Sequence, residues 1–430
     1  MIKKRTILKS IVKWLDRDEI IVISGPRRVG KTTILHLLKD ELLKRGVDSN
    51  NIFILNLEDL DILKELTKSP KELLKFVTNE ENKNYFLIDE IQYLEEPTHF
   101  LKYLYDAHRD KIKLIVTGSF LFQVKGQLKD SLVGRKIEFN LTPLTFEEFI
   151  FFKDEHLLQY FQKEDIPEFI KADFLNFLKE YLVYGGMPEI VLTKDIEIKT
   201  TLLKEYVNTY LNKDIRYISG GENILRYNDM LSIISSQISG LLNLEELCNT
   251  LGMTRRKVEK YLGDFILSSL IHVLPPYYTN IRTQISKMKK IFLFDTGVRN
   301  QVIHNFNSPD IRMDSGALFE NFILNELMNA VGRENIFYYR TKTGSEIDFI
   351  IRKSKIIPVE IKYKRLTAPS GTKALSYFIE KNNIEKGYLV NLTLNQILDQ
   401  KKIQVIDYLR FFHLLRRQLN DNQASGHNSL

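Results

Sequence analysis

The chain has 430 residues, roughly two to three times the usual domain size, so about three or four modules are expected rather than one compact core. Its 43% hydrophobic and 27% charged content is that of an ordinary globular protein and argues against disorder, collagen and coiled coil. The net charge of +7 suits a polyanionic partner and is equally ordinary for a lysine-rich protein.

A single cysteine, Cys248, excludes an intramolecular disulfide and a cysteine-rich zinc site, and points to a reducing compartment. The opening MIKKRTILKSIVKW lacks the apolar core and cleavage site of a secretory signal. No stretch approaches the roughly eighteen apolar residues that cross a bilayer. The expected location is the cytoplasm, with no membrane partner.

From Glu19 to about Pro143, short apolar runs alternate with helical patterns, the signature of a mostly parallel sheet covered by helices. Strands are expected at Ile20 to Ser24, Ile52 to Leu57, Tyr85 to Ile88, Lys113 to Thr117 and Ile137 to Leu141. The segment Gly25-Pro26-Arg27-Arg28-Val29-Gly30-Lys31-Thr32, followed by Thr33, satisfies G-x-x-x-x-G-K-[ST] between the strand IIVIS and the helical TILHLLKDELL. Its glycines let backbone N–H groups turn toward the phosphates of ATP, and the following helix adds the positive end of its dipole. Lys31 is expected to reach the β- and γ-phosphates, and the Thr32 hydroxyl to ligate Mg2+.

The apolar run Tyr85-Phe86-Leu87-Ile88 ends in Asp89-Glu90. Asp89 is expected to help hold Mg2+ and Glu90 to orient and polarise the attacking water. The run KLIVTGS ends in polar residues where a γ-phosphate sensor would sit, with Ser119 or Thr117 as the candidate; a helix cap or turn after Gly118 is the rival reading.

GPRRVGKTT, FLIDEIQYL, VTGSF, SLVGRKIEFNLTPLTFEEF, YGGMPE and YLNKDI together resemble the AAA+ superfamily ATPases of archaea and bacteria whose carboxyl half is a domain of unknown function. The resemblance spans most of the chain and implies an AAA+ core with Glu90 as catalytic base. It also gives Arg135 the place of an arginine that reaches transition-state charge, against a solvated surface role. Phe120 departs from the second serine common after Ser119. If Arg135 acts across an interface, the protein is a homo-oligomer.

From Pro143 to Ile215 the pattern is helical with a bend at Tyr184-Gly185-Gly186-Met187-Pro188, read as a lid. Leu244 to Leu262 puts apolar residues at helical spacing on both sides of Gly252-Met253-Thr254, a helix-turn-helix pattern. Arg255, Arg256 and Lys257 then fill the first turn of the second helix and suit DNA phosphates or base edges. Leu267 to Leu274 and Lys287 to Leu293 supply the hairpin of a winged helix. Such modules also dock proteins, so a protein partner stays open.

The last module carries Glu320 in a helical pattern, then Ser345-Glu346-Ile347-Asp348, then Val359-Glu360-Ile361-Lys362. Together these resemble the PD-(D/E)xK nuclease fold, including archaeal Holliday-junction resolvases. Glu360 and Lys362 share one strand face. Asp348 and Glu360 would coordinate a second Mg2+ or Mn2+, with Lys362 stabilising charge and Glu320 approaching from the helix. A retained fold that cuts nothing is the rival.

The expected fold class is α/β: a P-loop NTPase (AAA+) core with parallel sheet at 1–150, a helical lid at 151–222, a winged helix at 223–305, an α/β nuclease-like domain at 306–415 and a flexible tail at 416–430. Function divides between an ATPase acting on or with DNA and a nucleotide-switched regulatory protein whose nuclease-like domain is inactive.

Overall fold

The computed structural model describes residues 3–77, 81–119, 132–163, 165–219, 223–341 and 343–415. Phe120 and the tail expected at 416–430 lie outside them. Contacts divide the chain into two units, the first made of Met1–Pro143, Asn212–Glu222 and Gly263–Leu270, the second of Leu144–Leu211, Asn223–Leu262 and Ile271–Leu430.

The first unit is built on five strands, β1 (Ile20–Ser24), β2 (Ile52–Asn56), β3 (Asn84–Asp89), β4 (Ile112–Gly118) and β5 (Lys136–Asn140), in the order β2-β3-β4-β1-β5. Every neighbouring pair is parallel. β1, β3 and β4 are buried along their whole length, which is why they read as unbroken apolar runs rather than alternating ones. The strands depart from the sequence expectation by a residue or so at their ends, where pairing rather than hydropathy sets the limit.

The helix Lys31–Lys44 leaves β1 and buries Ile34, Leu35, Leu37, Leu38 and Leu42. At about 1.5–3 kcal/mol for each large apolar side chain, this face anchors the helix start beneath the turn of Gly25 to Gly30. β1 lies between β4 and β5, and β3 is the next strand beyond β4, so the carboxyl ends of β1, β4 and β3 open side by side.

In the second unit, the bend at YGGMPE ends the helix Glu168–Tyr184 and starts Pro188–Leu192. Its last carbonyls find partners in the helix Thr296–Val302: Thr296 Oγ1 donates to Tyr181 O at 2.9 Å, and Asn300 Nδ2 donates to Leu182 O and Val183 O at 2.9 and 2.8 Å. Asp295 accepts from Gly186 N at 2.8 Å and Val298 N at 2.9 Å. Gly185 has φ 77°, and a Cβ there would lie 2.2 Å from Asp295 Oδ1, so glycine is required.

The helix Leu244–Leu251 stops at left-handed Gly252 and is followed by Arg255–Leu267. The strands β6 (Ile271–Leu274) and β7 (Lys290–Leu293) pair antiparallel. β6 starts later than the expected Leu267 because the apolar spacing of Val258, Tyr261, Leu262 and Phe265 carries the helix on to Leu267.

The carboxyl module is a six-stranded mixed sheet of β8 (Ile336–Arg340), β9 (Glu346–Arg352), β10 (Ile356–Ile361), β11 (Gly387–Asn391), β12 (Gln396–Leu398) and β13 (Ile403–Asp407), ordered β12-β13-β11-β10-β9-β8. The helix Ser315–Val331 buries Leu318, Phe319, Phe322 and Leu327, and Lys373–Lys381 buries Leu375, Phe378 and Ile379. β9 and β10 run antiparallel with Val359 opposite Phe349, bringing Asp348 and Glu360 to the same end of the sheet.

Candidate nucleotide site and acidic centre

The turn after β1 needs unusual backbone angles. Arg28 has φ 60° and Gly30 φ 96°, and a Cβ on Gly25 would lie 2.3 Å from Leu141 O. Arg5 braces the turn by donating to Val29 O at 2.9 Å. Lys31 Nζ curls back over it, donating to Gly25 O and Pro26 O at 3.2 and 3.0 Å, and lies 4.0 Å from Glu90 Oε1. Burial lowers the lysine's proton affinity, with Glu90 and Asp89 pulling the other way.

Asp89 is the hub of the acid pair. Thr32 Oγ1 donates to its Oδ2 at 2.5 Å, and Thr117 Oγ1 donates to its Oδ1. Glu90 follows with φ 58°, a left-handed conformation that turns its side chain off the strand path; its N–H donates to Thr117 Oγ1 at 3.1 Å. Gln92 ties two segments together: its Nε2 donates to Glu90 Oε2, and its Oε1 accepts from Ser119 N at 3.3 Å. Thr117 is thus committed to Asp89 and Glu90. Ser119 Oγ is buried with no hydrogen-bond partner among the described residues.

Arg27 of the turn pairs with Asp214, 2.7 Å from Nε to Oδ1, in the π-helical stretch Tyr210–Ile215. Burial opposes the guanidinium charge, but Asp214 outweighs it and raises the arginine's proton affinity. Arg135 is held by Asp106 through two hydrogen bonds of 2.7 and 3.3 Å. Arg255, Arg256 and Lys257 are exposed in the first turn of their helix, Arg255 pairing with Glu259 at 2.8 Å.

Glu320, Asp348, Glu360 and Lys362 meet in the carboxyl module together with two residues the sequence pattern did not single out, Lys290 and Glu346. Lys290 Nζ lies 3.5 Å from Glu320 and 3.7 Å from Asp348 and pairs with Glu346. Lys362 Nζ donates to Glu360 Oε1 at 2.6 Å, and Asp348 Oδ2 accepts from Ile361 N at 2.8 Å. Burial, then Asp348, pushes Glu320 up to about 8 and Glu360 up to about 7. Lys290 is raised: burial works against its charge, but the carboxylates outweigh it.

Three family profiles match the chain: an AAA domain over residues 17–150, a domain of unknown function (DUF8612) over 175–309, and a second (DUF4143) over 315–411. Residues 17–150 match an AAA domain. The strand order β2-β3-β4-β1-β5 and the phosphate-binding turn after β1 agree with it, so the fold is α/β with an AAA+ P-loop core and a separate carboxyl-terminal sheet. An uncharacterized protein of Methanocaldococcus jannaschii is 28% identical over 81% of this chain and 76% of its own length. One from Haemophilus influenzae is 26% identical over 85% and 87%. Among solved structures, the Thermotoga maritima RuvB Holliday junction branch migration motor is 18% identical, covering 64% of this chain and 90% of its own, at a TM-score of 0.32.

Within the AAA domain, the oxygens of Thr32 and Asp89 are a donor set that fits Mg2+, a hard cation that keeps much of its shell as water and phosphate. The acidic centre does not fit the second ion expected from the sequence, because the Lys290 ammonium stands among its carboxylates. Among the described residues no group of three or more His, Cys, Asp or Glu side chains is placed to hold a metal. Nor is any described helix long and apolar enough to cross a membrane.

Proposed function

We propose that this chain is a magnesium-dependent cytoplasmic ATPase that acts on or with DNA. The observation that carries the reading is the meeting of Lys31, Thr32, Asp89 and Glu90 around the phosphate-binding turn. Lys31 leaves the Gly25 and Pro26 carbonyls to neutralise the β- and γ-phosphates. Mg2+, held by Thr32 and Asp89 when bound with ATP, supplies charge to the phosphate oxygens. Glu90 accepts the proton of the attacking water, with its carboxylate aimed by Gln92. The Ser119 hydroxyl donates to the γ-phosphate, since Thr117 is already engaged. Arg135, released from Asp106, completes the site of a neighbouring copy.

Arg255, Arg256 and Lys257 give the DNA reading its support, as exposed cations at the start of the helix after a left-handed turn. A second reading, a nucleotide-switched protein whose carboxyl modules bind a protein partner, is favoured by the lysine in the acidic centre. ATPase rates with and without duplex, branched and single-stranded DNA, over a range of salt, separate the two. Stimulation by DNA supports the first. Indifference to all three DNAs, with stimulation by a protein, supports the second, and absence of hydrolysis in protein that binds ATP sinks both as ATPases.

A further inference from the structure

In the hairpin before the carboxyl module, Lys290 is the first residue of β7, and its backbone is bound in the pairing with Leu274 of β6 and in a bridge to Leu241. Its side chain is 3% exposed and its ammonium lies 5.8 Å from the ring centre of Tyr338. The strand start and the burial leave this lysine little freedom to swing away. Its charge is delivered to Glu320, Glu346 and Asp348 together, while Lys362 is spent on Glu360.

We propose that Lys290 is the resident cation of this centre, filling the place that a nuclease of the resembling fold would give to a divalent ion and so keeping such an ion out. A divalent ion needs carboxylate oxygens at about 2.0–2.6 Å. Between Glu320 and Asp348 it would have to enter the volume of the ammonium and face its charge without intervening water. Four carboxylates nevertheless meet three cations, Lys290, Lys362 and Arg340 on Glu346 at 3.2 Å, and Glu360 Oε2 is buried with no hydrogen-bond partner among the described residues. Asp348 and Glu360 offer two carboxylates, enough for a divalent ion that keeps several waters; the lysine is what stands in their way. Replacing the ammonium with the shorter, uncharged end of a methionine frees that volume and turns Asp348 and Glu360 into a divalent site.

The proposal rests on the acidic centre alone and not on the ATPase reading, and nothing measured to test it involves nucleotide. Mn2+ binding to the nucleotide-free full chain is followed by the electron paramagnetic resonance signal of free Mn2+. An Asp89→Asn background silences the nucleotide site in every sample. With Lys290 present, no Mn2+ should be taken up at the acidic centre. Lys290→Met should bind one equivalent, with affinity higher by about a hundredfold or more, and adding Asp348→Asn should abolish the gain. Lys290→Met that folds only once Mn2+ is added also supports the proposal. Three results overturn it: an equivalent of Mn2+ bound with Lys290 present and lost on Glu360→Gln, a folded Lys290→Met that takes up none, or a Lys290→Met that stays unfolded with Mn2+.

Discussion

Replacing Glu90 by Gln tests the chemistry while sparing the geometry. The amide keeps the shape of the side chain and, suitably turned, still offers Gln92 an acceptor. What disappears is a charge 4.0 Å from the Lys31 ammonium, in a pair whose side chains are only 4% and 15% exposed. At an effective dielectric constant of about 20, that attraction is worth about 4 kcal/mol before solvation is counted. Most of it is offset by hydrating the separated charges, leaving roughly 1 kcal/mol that holds Lys31 away from phosphate. The variant should therefore bind ATP several-fold more tightly. It should hydrolyse ATP about 10²- to 10⁴-fold more slowly, about 3–5 kcal/mol in the barrier, because the water loses its base. Titration with a fluorescent ATP analogue and single-turnover hydrolysis give the two numbers separately. Turnover at the wild-type rate, or binding weaker than wild type, would refute the assignment.

Arg135→Ala should bind ATP normally and lose turnover, and mixing it with Glu90→Gln protein should restore activity at composite sites; no recovery in verified mixed oligomers would exclude an arginine supplied across an interface. Alanine at Arg255, Arg256 and Lys257 together should weaken DNA binding and flatten the slope of log affinity against log salt by about 0.9 for each phosphate no longer neutralised, and an unchanged slope would move the DNA site elsewhere. Asp295, pushed up to about 6 by burial despite its backbone hydrogen bonds, titrates about two units higher folded than unfolded. The folded state then holds the proton more tightly, so this group's stabilisation is full below about pH 4 and lost as pH rises through about 6, a change of about 3 kcal/mol. Thermal midpoints of wild type relative to Asp295→Asn should fall between pH 4 and 7; a flat difference would count against a buried, titrating carboxyl.

How far the site could be read in advance depended on how far apart its parts lie in the chain. Gly25 to Thr32 is one contiguous turn, and the flanking apolar runs fixed strand and helix around it, so both the core fold and the position of Lys31 were legible. Thr117 and Ser119 were not separable, because hydroxyls two residues apart differ only in what they touch: one is engaged by Asp89, the other has no partner among the described residues. Gln92 has no spacing that marks it as a bridge between Glu90 and Ser119. The carboxyl-terminal acids were legible as an ordered set on helix and strands. Lys290 was not, since it comes from the hairpin before that module and reaches the carboxylates only through tertiary packing.

The ion pair between Arg27 and Asp214 spans 187 residues of sequence. When the ribosome has released the last strand of the parallel sheet, the arginine of this turn still lacks Asp214, which belongs to a stretch some seventy residues further on. At about 5–20 residues per second, that stretch follows several seconds later. The nascent chain thus passes through an interval in which Arg27 has Glu90 and Tyr93 near it but not the carboxylate of its ion pair. Until then the turn is held by parts already made, Arg5 against Val29 O and Lys31 against the Gly25 and Pro26 carbonyls, and its last brace waits on chain that lies well beyond the sheet.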